Sequence, residues 1–262
     1  MDDDTKIEII IIESLRPEDL KTGAALHNET IKYLKFKFPD LLSNFHEVNN
    51  KKEFFNVFSR LYKRVTSTNI LPNIHLETHG SLEGIQLCSG ETVLWKELFK
   101  MTRKINVAIK NSLILQLALC EGGSLIGKFE PDERAPFMAV IATFKKLDQR
   151  EILKAYQKFY ESLFNKMGLL KSLELMNAEV KSQEQVFHVF KSEHLFDAML
   201  DENRDPEHFN RMVKEQAIKV KASNSNFQNV SFEITKMKTR NRIIKIHEEA
   251  KLGRDYFLMK DL

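Results

Sequence analysis

Two short apolar runs in this chain each end at one reactive residue backed by glycine. The first, Ile74-His75-Leu76-Glu77-Thr78-His79-Gly80, stops at a histidine, and the second, Leu113-Ile114-Leu115-Gln116-Leu117-Ala118-Leu119-Cys120-Glu121-Gly122-Gly123, stops at a cysteine. A neutral thiol is a poor nucleophile. A histidine within reach accepts its proton or holds the thiolate as an ion pair. Such a pair does acyl transfer: Cys120 attacks a carbonyl, and His79 acts first as base and then as acid. The oxyanion of the tetrahedral intermediate needs donors, and the backbone N–H groups of Gly80 and Cys120 are the candidates. Gly80 and Gly122 lack a Cβ, which lets backbone and substrate come close.

These residues need a frame that carries both to one edge. Ile7 to Ile12 is a β-branched run suited to a strand buried on both faces. Asp19 to Lys35 has helical apolar spacing, Phe45 to Val48 is a short strand candidate, and Phe54 to Val65 is again helical. The His79 strand follows. Gly84 to Cys88 and Thr92 to Trp95 flank Ser89-Gly90-Glu91 as a hairpin. Trp95 to Ile109 reads as a helix, and then comes the Cys120 strand. Glu121 to Pro136 reads as a mobile, solvated loop, rich in glycine and charge. Phe137 to Thr143 is a strand, and Ile152 to Phe164 and Leu169 to Val180 are helices. Strand and helix alternate, which predicts an α/β fold with a mostly parallel sheet and helices on both faces. His79 and Cys120 then sit at the carboxyl edge, where such sheets place their chemistry. Beyond residue 182 the pattern turns helical (Phe187 to Leu200, Pro206 to Val220, Phe232 to Glu249), with a weak strand candidate near Val230 to Ile234. The expected organisation is a domain over 1–182 and a mainly helical segment over 183–262.

At the dyad the chain resembles caspase-like cysteine peptidases, the clan of caspases, metacaspases, separases and bacterial CHAT-domain proteases. The strand-end His79-Gly80, the following Gly84-Ile85 and Gly90 hairpin, and Cys120-Glu121-Gly122-Gly123 match that clan's pattern. The helices containing Tyr156-Gln157-Lys158-Phe159-Tyr160-Glu161-Ser162-Leu163 and Gly168-Leu169-Leu170-Lys171-Ser172-Leu173 resemble the closing helices of CHAT domains. The likeness covers roughly residues 5 to 180. It implies a cytosolic endopeptidase acting on a protein or peptide substrate, with His79 and Cys120 catalytic and no metal or organic cofactor. It also implies dormancy until a partner protein, cleavage or a small signalling molecule triggers it, in a setting such as bacterial stress or anti-phage defence. The alternative is a caspase-like scaffold or sensor that does not cut and binds a protein or signalling nucleotide. In several caspases a basic residue, one variable residue and a glycine follow the first strand, and the basic side chain binds an acidic substrate residue. Lys21-Thr22-Gly23 occupies a similar place. Lysine lacks the bidentate fork of the arginine found there. Leu-Ala-Leu-Cys replaces Gln-Ala-Cys, and Ala118 replaces the aspartate of metacaspases, so substrate preference does not carry over.

Simpler readings stand beside these. His75, Glu77 and His79 share a strand face, which suits a metal, but a hydrogen-bonded core histidine is the plainer account of His75. Cys88 reads as a packing residue of the hairpin. Glu121 either lines the primary pocket and attracts a basic side chain or faces solvent. Lys21 is otherwise a solvated helix residue. The basic run from Lys214 to Lys245 reads as a solvated helical face, without the interleaved aromatics of a stacking platform. Formal net charge is only +3, and 42% of the 262 residues are hydrophobic, so bulk charge gives no case for nucleic acid and the core is sizeable. The acidic start Met1-Asp2-Asp3-Asp4 lacks the regions of a signal peptide, and no apolar run approaches the roughly 20 residues of a membrane span. Two cysteines in such a chain are expected as reduced thiols in the cytoplasm. No Gly-x-x-x-x-Gly-Lys-Ser/Thr or Gly-x-Gly-x-x-Gly turn supports nucleotide-dependent phosphoryl transfer.

Overall fold

The β-branched and apolar runs assemble one sheet. Its strands are β1 (Lys6–Ser14), β2 (Leu42–Glu47), β3 (Ile70–Gly80), β6 (Ile114–Ala118), β7 (Ala139–Thr143) and β8 (Phe187–Lys191), in the order β2-β1-β3-β6-β7-β8. The first five are mutually parallel, and β8 runs antiparallel to β7. A hairpin of β4 (Gly84–Gln86) and β5 (Thr92–Leu94) hangs from the end of β3, pairing His79 with Gln86 and Gly80 with Ile85. The computed structural model describes residues 5–182, 184–201 and 205–262.

Helices cover both faces, as the alternation predicts. On one, Ile9 and Ile11 share a buried cluster with Leu26, Ile31, Tyr156, Phe159, Tyr160 and Met176. Those partners come from α1 (Thr22–Ala25), which passes through a π-helical stretch (Leu26–Ile31) into α2 (Lys32–Lys37), and from α5 (Gln149–Phe164) and α6 (Leu169–Ala178). On the other face lie α3 (Lys51–Ser67) and α4 (Trp95–Ala108), where Ile10 of β1 and Val57 and Leu61 of α3 are buried. Central strands buried on both faces explain why β1 is apolar at successive positions rather than alternating.

The chain divides into two compact units. The first holds residues up to Glu130, Ala135–Ser192 and Leu262, and the second holds Pro131–Arg134 and Glu193–Asp261. The division expected at residue 182 is therefore displaced. Phe187–Lys191, read from the sequence as helical, is β8 and belongs to the sheet. The strand candidate at Val230 to Ile234 is instead a helix start, because the Ser231 hydroxyl accepts from the Ile234 N–H and caps it. The second unit is helical: α7 (Ser192–Met199), α8 (Pro206–Ser223), α9 (Ser225–Gln228), α10 (Phe232–Leu252) and α11 (Arg254–Phe257). Within it Arg254 bridges Glu193 at 2.6 Å and Asp197 at 2.8 Å, and the Phe196 and Phe257 rings meet at a tilt, 4.8 Å between centroids. No described helix is long and apolar enough to cross a membrane.

Candidate active site

Register brings the two reactive residues to one level. Glu77 of β3 lies opposite Ala118 of β6, and the strands are parallel, so His79 and Cys120 each follow that pair by two residues. The strand ends are in intimate contact. A Cβ on Gly80 would lie 2.0 Å from the carbonyl oxygen of Cys120 and 2.4 Å from Cδ1 of Leu119. Only glycine fits there, which is the physical content of the His-Gly pair.

The His79 ring is anchored by a residue the sequence reading missed. Asp19, in the loop between β1 and α1, accepts from Nε2 of His79 at 2.8 Å and from the Arg16 N–H at 2.9 Å, both through Oδ2. Burial alone would raise the Asp19 carboxyl. The hydrogen bonds from His79 and the Arg16 N–H, with the attraction of His79, outweigh it and hold the group below the usual carboxylate range. An ionised aspartate only accepts, so Nε2 carries the proton and Nδ1 of a neutral His79 keeps its lone pair for a thiol.

Asp19 reaches His79 because its loop is stapled to the sheet by buried carboxylates. Thr22 Oγ1 donates to Glu77 at 2.7 Å, and the N–H groups of Gly23 and Ala24 donate to Glu13 at 2.7 and 3.1 Å. A Cβ on Gly23 would lie 2.9 Å from Glu13 Oε1 and 3.0 Å from Glu77 Cγ, so Lys21-Thr22-Gly23 owes its last two residues to this packing. Burial pushes the Glu13 carboxyl up, and the neighbouring Glu77 adds to the shift against the hydrogen bonds. Glu77 also meets Nε2 of His75 at 2.9 Å, and Nδ1 of His75 lies 3.2 Å from Gln116 and 3.3 Å from the Tyr160 hydroxyl. His75 is thus a fully buried, hydrogen-bonded core histidine. Among the described residues no cluster of three metal-ligating side chains occurs.

Cys120 stands at a sharp turn. Glu121 adopts a left-handed conformation (φ 57°), and a 3-10 helix (Gly122–Lys128) begins directly after it. That conformation is costly for a residue with a Cβ and tends to be kept where geometry matters. The thiol lies 3.9 Å from the Leu147 carbonyl oxygen, and no hydrogen bond joins it to His79. The mobile loop expected over Glu121 to Pro136 is in part a packed element. Gly122 seats against Leu117 and Leu119, Gly123 against the Phe144 ring, and Leu125 and Phe129 are buried. Gly122 and Gly123 serve close packing rather than freedom.

The remaining candidates lie around this edge. Lys21 directs its ammonium to the Leu15 carbonyl at 2.7 Å and to Glu47 at 3.7 Å. Glu121 has a long ion pair, 4.0 Å, with Lys146. Cys88 follows β4, with its thiol 3.4 Å from the Asn49 carbonyl oxygen.

No family model matches the chain, and neither does any curated protein. Solved structures do. The chain is similar to the Drosophila initiator caspase Dronc, seen in a crystal structure, with 14% identity and a TM-score of 0.50 over 70% of this chain and 79% of that one. At that identity the likeness is one of fold: a mostly parallel sheet between helices, caspase-like, with a helical region following it.

Proposed function

We propose that the protein is a cysteine endopeptidase using a His79–Cys120 dyad oriented by Asp19. The observation that carries this reading is the contact of the two strand ends, where Gly80 packs on the Cys120 carbonyl. In the reaction Nδ1 of His79 takes the thiol proton, Cys120 attacks the peptide carbonyl, and the N–H groups of Gly80 and Cys120 hold the oxyanion. His79 then gives its proton to the leaving amine, and water releases the acyl group. Asp19 keeps the ring in the tautomer this requires and stabilises the imidazolium. The chemistry is complete without metal or organic cofactor.

Dormancy is supported by where the thiol rests. Sγ lies 3.9 Å from the Leu147 carbonyl oxygen and makes no hydrogen bond to His79, so a competent dyad requires the thiol to turn to another χ1 well. We assign this turn to activation by a partner protein or a small signalling molecule. The same resting thiol supports a second reading, a caspase-like scaffold that does not cut. For substrate, Glu121 beside the nucleophile supports attraction of a basic side chain. Lys21 would have to leave Leu15 and Glu47 to meet an acidic one. The paired helices α5 and α6 support a nearer likeness to the compact CHAT-type proteases, whose cytoplasmic setting we adopt.

The test is peptidase assay on a peptide library with the wild type, Cys120→Ala, His79→Ala and the double variant. Each single variant should lose activity, and the double should be little worse, because the two act as a unit. Retained turnover in purified Cys120→Ala would refute the mechanism.

A further inference from the structure

Helix α2 presents a face that the core does not explain. Ile31, just before it, and Leu34 within it are buried and hold the helix to the body of the sheet. On the outside, Tyr33 is 69% exposed and Phe36 88%. At about 100° per residue, Phe36 points almost diametrically away from Ile31 and Leu34, with Tyr33 beside it. The same geometry sets Lys32 and Lys35 on one side of the two rings and Lys37 on the other, and all three are exposed. A single apolar side chain on a surface needs no account, but two aromatic rings at the apex of one helix, bracketed by lysines, make a patch.

The charge of this patch is open to a partner. Lys32 donates to Asn28 at 2.7 Å and Lys37 to Asn165 at 2.7 Å, and none of the three lysines pairs with a carboxylate among the described residues. The acidic neighbours are engaged elsewhere: Glu29 accepts from Gln157 at 3.4 Å, and Asp40 meets Lys6 at 4.0 Å. The positive field reaches inward along the helix, where burial, then Lys32 and Lys35, hold His27 below the usual imidazole range. The Lys37 bond also ties the patch to the turn after α5, where exposed Lys166 and Met167 directly follow Asn165.

We propose that this face attaches the protein to an anionic lipid bilayer, with Phe36 and Tyr33 entering the interface and the lysines meeting the headgroups. A projecting aromatic knob needs a matching pocket in a protein partner, and a nucleic acid strand needs a groove that tracks its backbone. A bilayer interface takes the knob as it is, and aromatic faces ringed by lysine bind there. Lysine stems lie along the apolar surface while their ammonium groups stay in water. The patch closes the helical run that begins at Thr22, roughly 20 Å away along it, so it is separate from the dyad and stands whether or not the chain cleaves peptides.

The test is cosedimentation of the full chain with vesicles of phosphatidylcholine alone and of phosphatidylcholine mixed with phosphatidylserine. The chain should pellet with the mixed vesicles only, and release as salt is raised and the charges are screened. Phe36→Ser should weaken binding about tenfold or more, the worth of burying one aromatic side chain. Lys32→Gln, Lys35→Gln and Lys37→Gln combined should weaken it about a hundredfold, at about fivefold for each lysine. All four positions are exposed, so the urea midpoint should stay that of the wild type. No pelleting with the mixed vesicles, binding indifferent to Phe36→Ser, or tighter binding of a single-stranded oligonucleotide than of the vesicles would overturn the proposal.

Discussion

Gly80→Ala is the perturbation that the geometry constrains most tightly. The new Cβ would stand 2.0 Å from the Cys120 carbonyl oxygen and 2.4 Å from Leu119 Cδ1. A carbon and a carbonyl oxygen settle at roughly 3.3 Å or beyond. The shortfall from the oxygen is therefore about 1.3 Å, and backbone, not a flexible side chain, must yield it. The strand ends have to part by that amount, or β4 has to peel from β3. Overpacking of this kind costs about 1–3 kcal/mol, offset in part by the about 0.4–1 kcal/mol that alanine gains by restricting the unfolded chain. We expect a net loss of about 1–2 kcal/mol, read as a lower urea midpoint at unchanged slope. The functional loss is larger, because displacing catalytic partners by about 1 Å costs on the order of 10²-fold in turnover. Gly127→Ala is the control, since a Cβ there meets nothing within 4 Å. If Gly80→Ala matched Gly127→Ala in both midpoint and peptidase rate, the proposed closeness of the two strand ends would be wrong.

Three further outcomes follow from the same site. Asp19→Asn should lower kcat/KM at least about tenfold while KM moves little, because it removes the charge facing the imidazolium. The Asp19 carboxyl is held below its ordinary value, so its stabilising contribution is complete above about pH 4 and is lost as pH falls through the lower folded value. The asparagine variant should therefore show a shallower acid limb in urea midpoints measured against pH. Glu13 has the opposite sign: burial raises its carboxyl, so the folded state binds the proton more readily and gains stability as pH falls toward the unfolded value. Glu13→Gln keeps the acceptor for the Gly23 and Ala24 N–H groups, and should be at least as stable as wild type at pH 7 and lack that gain on acidification. Cys88→Ser should keep activity within about twofold, since its hydroxyl can still donate to the Asn49 carbonyl.

Much of the sheet was legible because its strands are buried on both faces and so read as apolar runs, β1 above all. The His79 and Cys120 positions were legible for the same reason, as abrupt ends of such runs. Asp19 was not. It lies in a polar loop sixty residues from His79, and only the staples through Thr22, Gly23, Glu13 and Glu77 bring it there. Those staples carry no periodic signal, although two fully buried glutamates on apolar strands were a sign that something polar folds over them. β8 was hidden because Phe187-His188-Val189-Phe190-Lys191 is a short, half-buried edge strand running straight into a helix. The run after Cys120 was misread because glycine serves close packing as well as mobility, and only the contacts of Gly122 and Gly123 distinguish the two.

The central claim, a thiol at Cys120 activated by His79, is tested most directly by covalent trapping. The full chain is treated with a mixture of peptidyl acyloxymethyl ketones spanning all side chains at the position before the warhead, and the modified residue is mapped by mass spectrometry. The account predicts one adduct, on Cys120 and not Cys88, that disappears in His79→Ala and slows in Asp19→Asn. Equal labelling of both cysteines, or labelling of Cys120 that is indifferent to His79, would contradict it.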